Sequence, residues 1–230
     1  MKKYVIALDE GTTSTRAVLY DIKLKKIVKV KSFQIKQFYP KPSYVEESAS
    51  EIYSASLGAL VEIIDETGAD LIAGIGITNQ RETVVAWSKS NGKPLYNAII
   101  WQCRRTAEYC ERLEKDYAET IKNKTGLKID PYFSASKMRW LMENVTEVQE
   151  AAKNNDLCLG TVETFLAYKL TGGKSFVTDY TNASRTMLFN IKTMQWDDEL
   201  LELFGIKREF LPEVVSPDSV VGEFDCEGIK

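Results

Sequence analysis

Apolar and polar residues at the start of the chain alternate as they do in β-strands. Tyr4 to Leu8 and Ala17 to Tyr20 are short apolar runs, and Lys25 to Phe33 alternates lysine with isoleucine and valine at period two. The short connections between these three segments predict an antiparallel meander. Most lysines of the third segment then lie on its solvent face, where they discourage pairing of an exposed strand edge.

A helical pattern follows the meander. Between about Ala49 and Glu66 apolar residues recur every three or four positions, and Thr67-Gly68 ends the predicted helix. Leu71 to Ile77 is almost wholly apolar, which predicts a strand that is buried on both faces. This strand leads directly into the polar sequence Asn79-Gln80-Arg81-Glu82-Thr83.

The remainder of the chain predicts a few more strands and a series of helices. Strands are predicted at Thr83 to Trp87, Ala98 to Trp101, Phe176 to Asp179 and Arg185 to Asn190. Helices are predicted at Arg105 to Lys115, Tyr117 to Lys124, Ser136 to Asn144, Glu147 to Asn154, Val162 to Leu170 and Asp197 to Phe204. Segments 211–217 and 221–229 are predicted to form an extended connector. Strands that precede helices, with one helix crossing between them, indicate the α/β class.

The composition is that of an ordinary globular chain, and it limits the kinds of partner that the chain is expected to bind. The 230 residues suffice for one large domain or two small ones. Thirty basic against 33 acidic residues give a net charge of −3, so no nucleic-acid partner is expected. No segment has the length of a membrane span, and the first residues lack a signal-peptide cleavage site, so we expect a cytosolic protein without membrane contact.

Cysteine and histidine usage exclude several kinds of site. The four cysteines, Cys103, Cys110, Cys158 and Cys226, lack the spacing of metal ligands and are expected to be reduced thiols. The chain has no histidine, which excludes Ser-His and Cys-His nucleophilic mechanisms. Reactions that depend on positioning and electrostatics, such as phosphoryl transfer, are favoured.

Arg81 and Glu82, at the end of the predicted strand 71–77, are the first candidate binding residues. A guanidinium supplies donors in a fixed fork and an ionised carboxylate supplies acceptors, so a buried pair of this kind could hold adjacent hydroxyl groups. The pair therefore predicts a polyol site. It could also be an ordinary ion pair that caps a strand.

The segment Asp9 to Arg16, between the first two strands, is the second candidate site. Gly11 permits a tight turn, and successive N–H groups with the hydroxyls of Thr12, Thr13 and Ser14 could form a concave anion site. Asp9 could hold a hydrated magnesium ion. A polar hairpin whose hydroxyls bind their own backbone is the alternative.

Five segments, in the same order over essentially the whole chain, resemble the FGGY carbohydrate kinases, in particular the members that phosphorylate glycerol. They are Asp9 to Arg16, Gly74 to Thr83, Asn97 to Thr106, Thr125 to Ser134 and Thr178 to Thr186. The resemblance implies a ribonuclease H-like fold of the actin and hexokinase superfamily. In that fold helices flank a mixed sheet whose first three strands form an antiparallel meander, and residues 1–230 correspond to the N-terminal domain.

The resemblance also implies a reaction and a set of site residues. The reaction is transfer of the γ-phosphoryl group of ATP, with magnesium, to a terminal hydroxyl of glycerol. By resemblance Arg81, Glu82, Trp101 and Tyr132 contact glycerol, Thr12, Thr13, Ser14 and Arg16 contact the nucleotide, and Asp9 is associated with the metal. Trp101 and Tyr132 could instead be core aromatic residues. Asp179 and Arg185 also match the family, and we expect a structural role for both.

The chain departs from the family pattern in two ways. Glu10 stands where the family has glutamine, which would repel phosphate unless its side chain turns away or pairs with Arg16. The family's general base is an aspartate in a segment expected beyond Lys230, and the adenosine-binding second domain is expected there too. We therefore expect the glycerol-binding half of a kinase, cut or naturally split, to be inactive without its C-terminal domain.

Two other functions stay open at this point. The chain could be a non-catalytic polyol-binding or regulatory module, or belong to a kinase for another polyol or sugar. The sequence does not decide between a monomer and a homo-oligomer, and it reveals no allosteric effector.

Overall fold

The computed structural model describes residues 2–225. Its strands are β1 (Tyr4–Glu10), β2 (Ser14–Asp21), β3 (Lys26–Gln34), β4 (Gln37–Phe38), β5 (Glu46–Glu47), β6 (Ile72–Asn79), β7 (Val84–Ser88), β8 (Ala98–Ile99), β9 (Leu157–Thr161), β10 (Val177–Asp179), β11 (Phe189–Asn190), β12 (Gln195–Trp196) and β13 (Glu213–Val215). Its helices are α1 (Ala49–Thr67), α2 (Ala107–Thr125), α3 (Ser134–Asn144), α4 (Thr146–Lys153), α5 (Val162–Leu170), α6 (Tyr180–Ala183) and α7 (Asp198–Phe204).

The first sheet has the predicted meander and is mixed. Its strand order is β3-β2-β1-β6, with β1, β2 and β3 antiparallel and β6 parallel to β1. Helix α1 packs on one face, where its apolar stripe joins a core that includes Ile6, Leu8, Ile52 and Leu60. Helix α1 agrees almost to the residue with the predicted helix, and the Ser48 side chain caps its start by accepting the N–H of Glu51.

The prediction that strand 71–77 is buried on both faces is wrong. Within β6, Ala73, Gly74 and Gly76 are exposed, and Ile75 and Ile77 are only partly buried. The strand is at the edge of its sheet, and apart from the glycine and its chain neighbours no described residue comes within 4 Å of a Cβ built at Gly74 or Gly76. An apolar run alone does not distinguish a central strand from an edge strand.

A second sheet has the order β4-β5-β8-β7-β9, in which β7 and β8 correspond to the strands predicted at Thr83 to Trp87 and Ala98 to Trp101. Its strand β9 is fully buried but was not predicted, since its five residues lie between two helical patterns. The two helices predicted between residues 105 and 124 form the single helix α2. The strand predicted from Arg185 to Asn190 is reduced to β11, and the preceding residues form turns.

Helices α2, α3, α4 and α7 surround this second sheet and share a second apolar core with it. Cys103, Cys110 and Cys158 are buried free thiols, as expected, whereas Cys226 lies outside the described residues. Part of the predicted connector forms β13, which pairs with β10, and residues 226–229 of that prediction also lie outside the described range. No helix among the described residues is long and apolar enough to cross a membrane.

Candidate active site

The two candidate motifs lie at the same edge of the first sheet. Strands β1 and β6 are parallel neighbours, and their register places Glu10 opposite Asn79. The turn of residues 11–13, named the phosphate turn after the anion site that the sequence predicts there, follows β1 and leaves the sheet beside the polar sequence that follows β6. Carboxyl ends of neighbouring parallel strands are where open α/β sheets bind ligands.

Glu82 is held in a strained and buried position by Arg185. Its side chain is 2 % exposed, and Arg185 Nε donates to Glu82 Oε1 over 2.7 Å. Glu82 has a φ of 66°, a left-handed conformation that costs energy for a residue with a side chain and that occurs at functional sites. The hydroxyl of Ser134 donates to the Glu82 carbonyl over 3.2 Å.

The predicted buried pair of Arg81 and Glu82 is not formed. Arg81 is exposed, and among the described residues no ion pair joins it to Glu82. The left-handed backbone at Glu82 sends the two neighbouring side chains in different directions, since Glu82 turns into the protein. The guanidinium beside the carboxylate is that of Arg185, for which the sequence led us to expect only a structural role.

Aromatic rings form one wall of this site. Trp101 and Tyr132 meet edge to face with ring centroids 5.7 Å apart. The Arg185 guanidinium lies 5.9 Å from the Tyr132 ring centroid and 4.9 Å from that of Phe133. Glu82, Arg185, Tyr132 and Trp101 are therefore contiguous. A charged pair beside aromatic faces can bind the hydroxyls and the CH groups of a small polyol at once.

Lys137 fixes the turn that carries Tyr132. Its fully buried ammonium donates to the carbonyls of Pro131 over 3.1 Å and Phe133 over 2.9 Å, and also to the Tyr132 carbonyl. Burial lowers the pKa of Lys137 to about 7, while the nearby carboxylate of Glu82 raises it. Three carbonyl acceptors match the three donors of an ammonium group.

We expect Lys137→Met to destabilise the chain by about 3 kcal/mol, because three buried carbonyls lose their donor. Urea unfolding followed by circular dichroism measures this loss. Lys128→Met, at an exposed position just before the same turn, is the matched control and should change stability by less than about 0.5 kcal/mol. Equal effects of the two substitutions would contradict this role of Lys137.

The phosphate turn is a tight hairpin between β1 and β2. The Gly11 N–H donates to the Ser14 carbonyl over 3.1 Å, which closes the turn. Thr13 is exposed and Thr12 partly exposed, whereas Ser14 is buried and its hydroxyl accepts from Arg16 Nε over 3.4 Å. The Thr13 side chain is thus accessible at the turn and that of Thr12 partly so, whereas that of Ser14 is not.

Asp9 and Arg16 face each other across β1 and β2 at this turn. Arg16 Nη1 lies 3.9 Å from Asp9 Oδ2, and both side chains are about half exposed, at 51% and 45%. The described residues contain no group of three potential metal ligands, and the half-exposed Asp9 is the carboxylate that they present at this turn. One accessible carboxylate fits a magnesium ion that keeps its waters and is held mainly by substrate phosphates.

Glu10 is buried and turned away from the phosphate turn. Gln80 Nε2 donates to Glu10 Oε1 over 3.1 Å and to Glu47 Oε2 over 2.6 Å. Burial raises the pKa of Glu10 to about 8 and that of Glu47 to about 7. The Glu10 carboxyl is therefore not exposed at the phosphate turn, and it pairs with Gln80 rather than with Arg16.

Sequence reasoning missed Arg185, Lys137 and the role of Gln80. Arg185 was visible in a matching segment, but it lies 103 positions from Glu82 and no local pattern joins them. Lys137 occurs in a helical pattern where lysine is normally exposed. Asp179 has the expected structural role, since its carboxylate caps α6 by accepting from Thr181 and Asn182.

A family model described as the N-terminal domain of the FGGY family of carbohydrate kinases matches residues 4–230. The chain belongs to the FGGY family of carbohydrate kinases, and its mixed α/β fold is that of the sugar kinases of the actin and hexokinase superfamily. This confirms the fold and family that the motifs predict.

Several of the proteins to which the chain is similar are glycerol kinases. The chain is 52% identical over 230 residues to a glycerol kinase of Escherichia fergusonii and 50% identical over 226 residues to one of Bacillus licheniformis, covering 46% and 45% of those proteins. The crystal structure of Plasmodium falciparum glycerol kinase with ADP superposes with a TM-score of 0.91 at 35% identity, over 98% of this chain and 46% of that one. A xylulose kinase from Lactobacillus acidophilus has a TM-score of 0.85 at 28% identity, over 98% and 44%. The chain thus spans a little under half the length of these relatives.

Proposed function

We propose that this chain is the glycerol-binding N-terminal domain of a cytosolic ATP- and magnesium-dependent kinase that forms sn-glycerol 3-phosphate. The observation that carries the proposal is the Glu82–Arg185 pair beside Tyr132 and Trp101, directly next to the Thr12 turn. The similar glycerol kinases, one of them crystallised with ADP, support the choice of substrates.

Each group has a part in the reaction that follows from its chemistry. The buried Glu82 accepts hydrogen bonds from adjacent glycerol hydroxyls, and Trp101 and Tyr132 cover the carbon edge. Arg185 orients the Glu82 carboxylate through its hydrogen bond, while exposed Arg81 is free to close over bound glycerol. These contacts fix one terminal hydroxyl toward the phosphate turn, which is what phosphoryl transfer mainly demands of a protein.

The nucleotide side is only partly supplied by this chain. Thr12, Thr13, Ser14 and Arg16 would bind phosphate oxygens, and Asp9 would hold magnesium through water, where the ion offsets the charge of the transferred group. The attacking hydroxyl must lose its proton, and the proposal assigns that step to an aspartate of the C-terminal domain, which also supplies the adenosine site. Each half alone then turns over little.

Calorimetric titration with glycerol, erythritol, xylulose and gluconate tests the substrate. We expect glycerol to bind most tightly, and Glu82→Gln to weaken it at least about tenfold, because a hydrogen bond to a charged group is lost. Glu108→Gln, at an exposed position of α2, is the matched control. Tighter binding of a larger polyol or sugar would overturn the choice of glycerol, and binding unaffected by Glu82→Gln would overturn the site.

A further inference from the structure

A chain of hydrogen bonds joins the phosphate turn to the aromatic wall and returns to the turn. Gln80 Nε2 donates to Glu10 Oε1 over 3.1 Å, and the Thr83 hydroxyl donates to Gln80 Oε1 over 3.0 Å. The backbone N–H of Trp101 donates to the Thr83 hydroxyl over 3.2 Å. The indole Nε1 of Trp101 then donates to the Thr12 hydroxyl over 3.0 Å. The path closes through the backbone from Thr12 back to Glu10.

Thr83 and Gln80, the central members of this closed ring of hydrogen bonds, are buried, and each side chain both donates and accepts a hydrogen bond. Thr83 is 0% exposed and Gln80 7% exposed. The Thr83 hydroxyl donates in one direction and accepts in the other, which only a hydroxyl side chain of this size can do here. Gln80 donates through its amide nitrogen and accepts through its oxygen. Hydrogen bonds in such a buried network are stronger than in water, and leaving one partner unpaired is costly.

The ring connects parts of the site that the backbone leaves separate. Trp101 follows β8 in the second sheet, whereas Thr12 follows β1 in the first sheet. Between these two residues the direct side-chain link is the indole bond, and Thr83 holds the Trp101 backbone that aims the indole. The buried Thr83 hydroxyl is therefore one link in the path that joins the aromatic wall to the phosphate turn.

We propose that Thr83, supported by Gln80, is a positioning residue that holds Trp101 in register with the phosphate turn. Its consequence for catalysis rests on the proposed function: reacting atoms must approach to roughly 3–3.5 Å, so a shift of the wall that carries glycerol misplaces the attacking hydroxyl. Thr83 itself acts through Trp101 and has no assigned contact with substrate.

Thr83→Val and Thr83→Ser separate the hydroxyl from the shape of the side chain. Valine keeps the shape and removes the hydroxyl, whereas serine keeps the hydroxyl. The chain has four tryptophans, so a proton–nitrogen correlation spectrum of the free chain shows four indole signals, and Trp101→Phe identifies the one that belongs to Trp101. We expect Thr83→Val to move that signal and to speed its exchange with water at least about fivefold, the ratio that loss of one net hydrogen bond gives. In Thr83→Ser the Trp101 indole signal should keep its native position and exchange rate.

A native-like Trp101 signal in folded Thr83→Val would overturn the proposal. If Thr83→Val does not fold, Thr12→Val cuts the same ring at its partly exposed end, and the same shift and faster exchange are expected there. An unchanged Trp101 signal in Thr12→Val would equally overturn it.

Glycerol calorimetry supplies the functional readout. Affinity should fall about fivefold in Thr83→Val and recover in Thr83→Ser, while a shifted indole with unchanged glycerol affinity would contradict a positioning role. If the native chain binds no glycerol, the proposed function fails, and the indole signal of the free chain still decides whether Thr83 positions Trp101.

Discussion

Arg185→Leu is expected to lower the free energy of unfolding by about 3 kcal/mol and to abolish detectable glycerol binding. Glu82 is 2 % exposed, and its carboxylate would lose the guanidinium that lies 2.7 Å away. Removing one partner of a buried ion pair leaves an uncompensated charge, which is far costlier than the pair is worth. Urea unfolding and glycerol calorimetry measure the two effects.

The double variant Glu82→Leu with Arg185→Leu separates stability from binding. Because it leaves no buried charge, it should regain most of the lost stability and still fail to bind glycerol. Arg112→Leu, which removes an exposed helical arginine paired with Glu108 at 3.6 Å, is the control and should have little effect. Stability of Arg185→Leu equal to that of this control would contradict the buried pair.

The second large effect concerns pH. As pH rises from 5 to 9, ionisation of Glu10 should lower the free energy of unfolding of the native chain by about 4 kcal/mol. Glu10→Gln should abolish this decrease. The pKa of Glu10 is raised by burial to about 8 in the folded chain, so the unfolded chain releases its proton first. Folded stability is then full below the ordinary glutamate pKa and falls as pH rises toward 8.

Other groups contribute to the same profile, so the difference between variants is the measurement. Glu47, with a pKa of about 7, adds a loss of the same sign. Lys137, whose pKa is lowered to about 7, has the opposite sign, since its penalty disappears as pH rises above 7. Urea unfolding of native chain and Glu10→Gln at several pH values should give curves that coincide near pH 5 and diverge by pH 9. Parallel curves would contradict an ionisable buried Glu10.

The first half of the fold follows closely from local sequence signals. The meander, α1 and the strand β6 were predicted because period-two alternation, apolar residues at helical spacing, a closing glycine and an apolar run are local features. The exposure of β6 was not predictable, because burial of a strand depends on what lies beside it. Of the second sheet only β7 and β8 were predicted, because β4 and β5 have two residues each and β9 lies between two helical patterns.

The site was predictable as a set of motifs but not as a geometry. The resemblance selected Glu82, Tyr132, Trp101 and Thr12, and the structure brings these four together. It did not select the true partner of Glu82, since neither the left-handed backbone at Glu82 nor a contact across 103 positions leaves a local signature. The sequence likewise could not predict that Glu10 turns away from the phosphate turn, because this depends on the contacts of Gln80 with Glu10 and Glu47.

The most direct test of the central claim joins this chain to the C-terminal half of a similar glycerol kinase, such as that of Escherichia fergusonii. ADP formation in the fused protein should require glycerol, and Glu82→Ala should reduce it about 100-fold, while the chain alone forms little ADP. A folded fusion that forms no glycerol-dependent ADP, or whose activity survives Glu82→Ala, would contradict the assignment of this chain as the glycerol-binding half of a kinase.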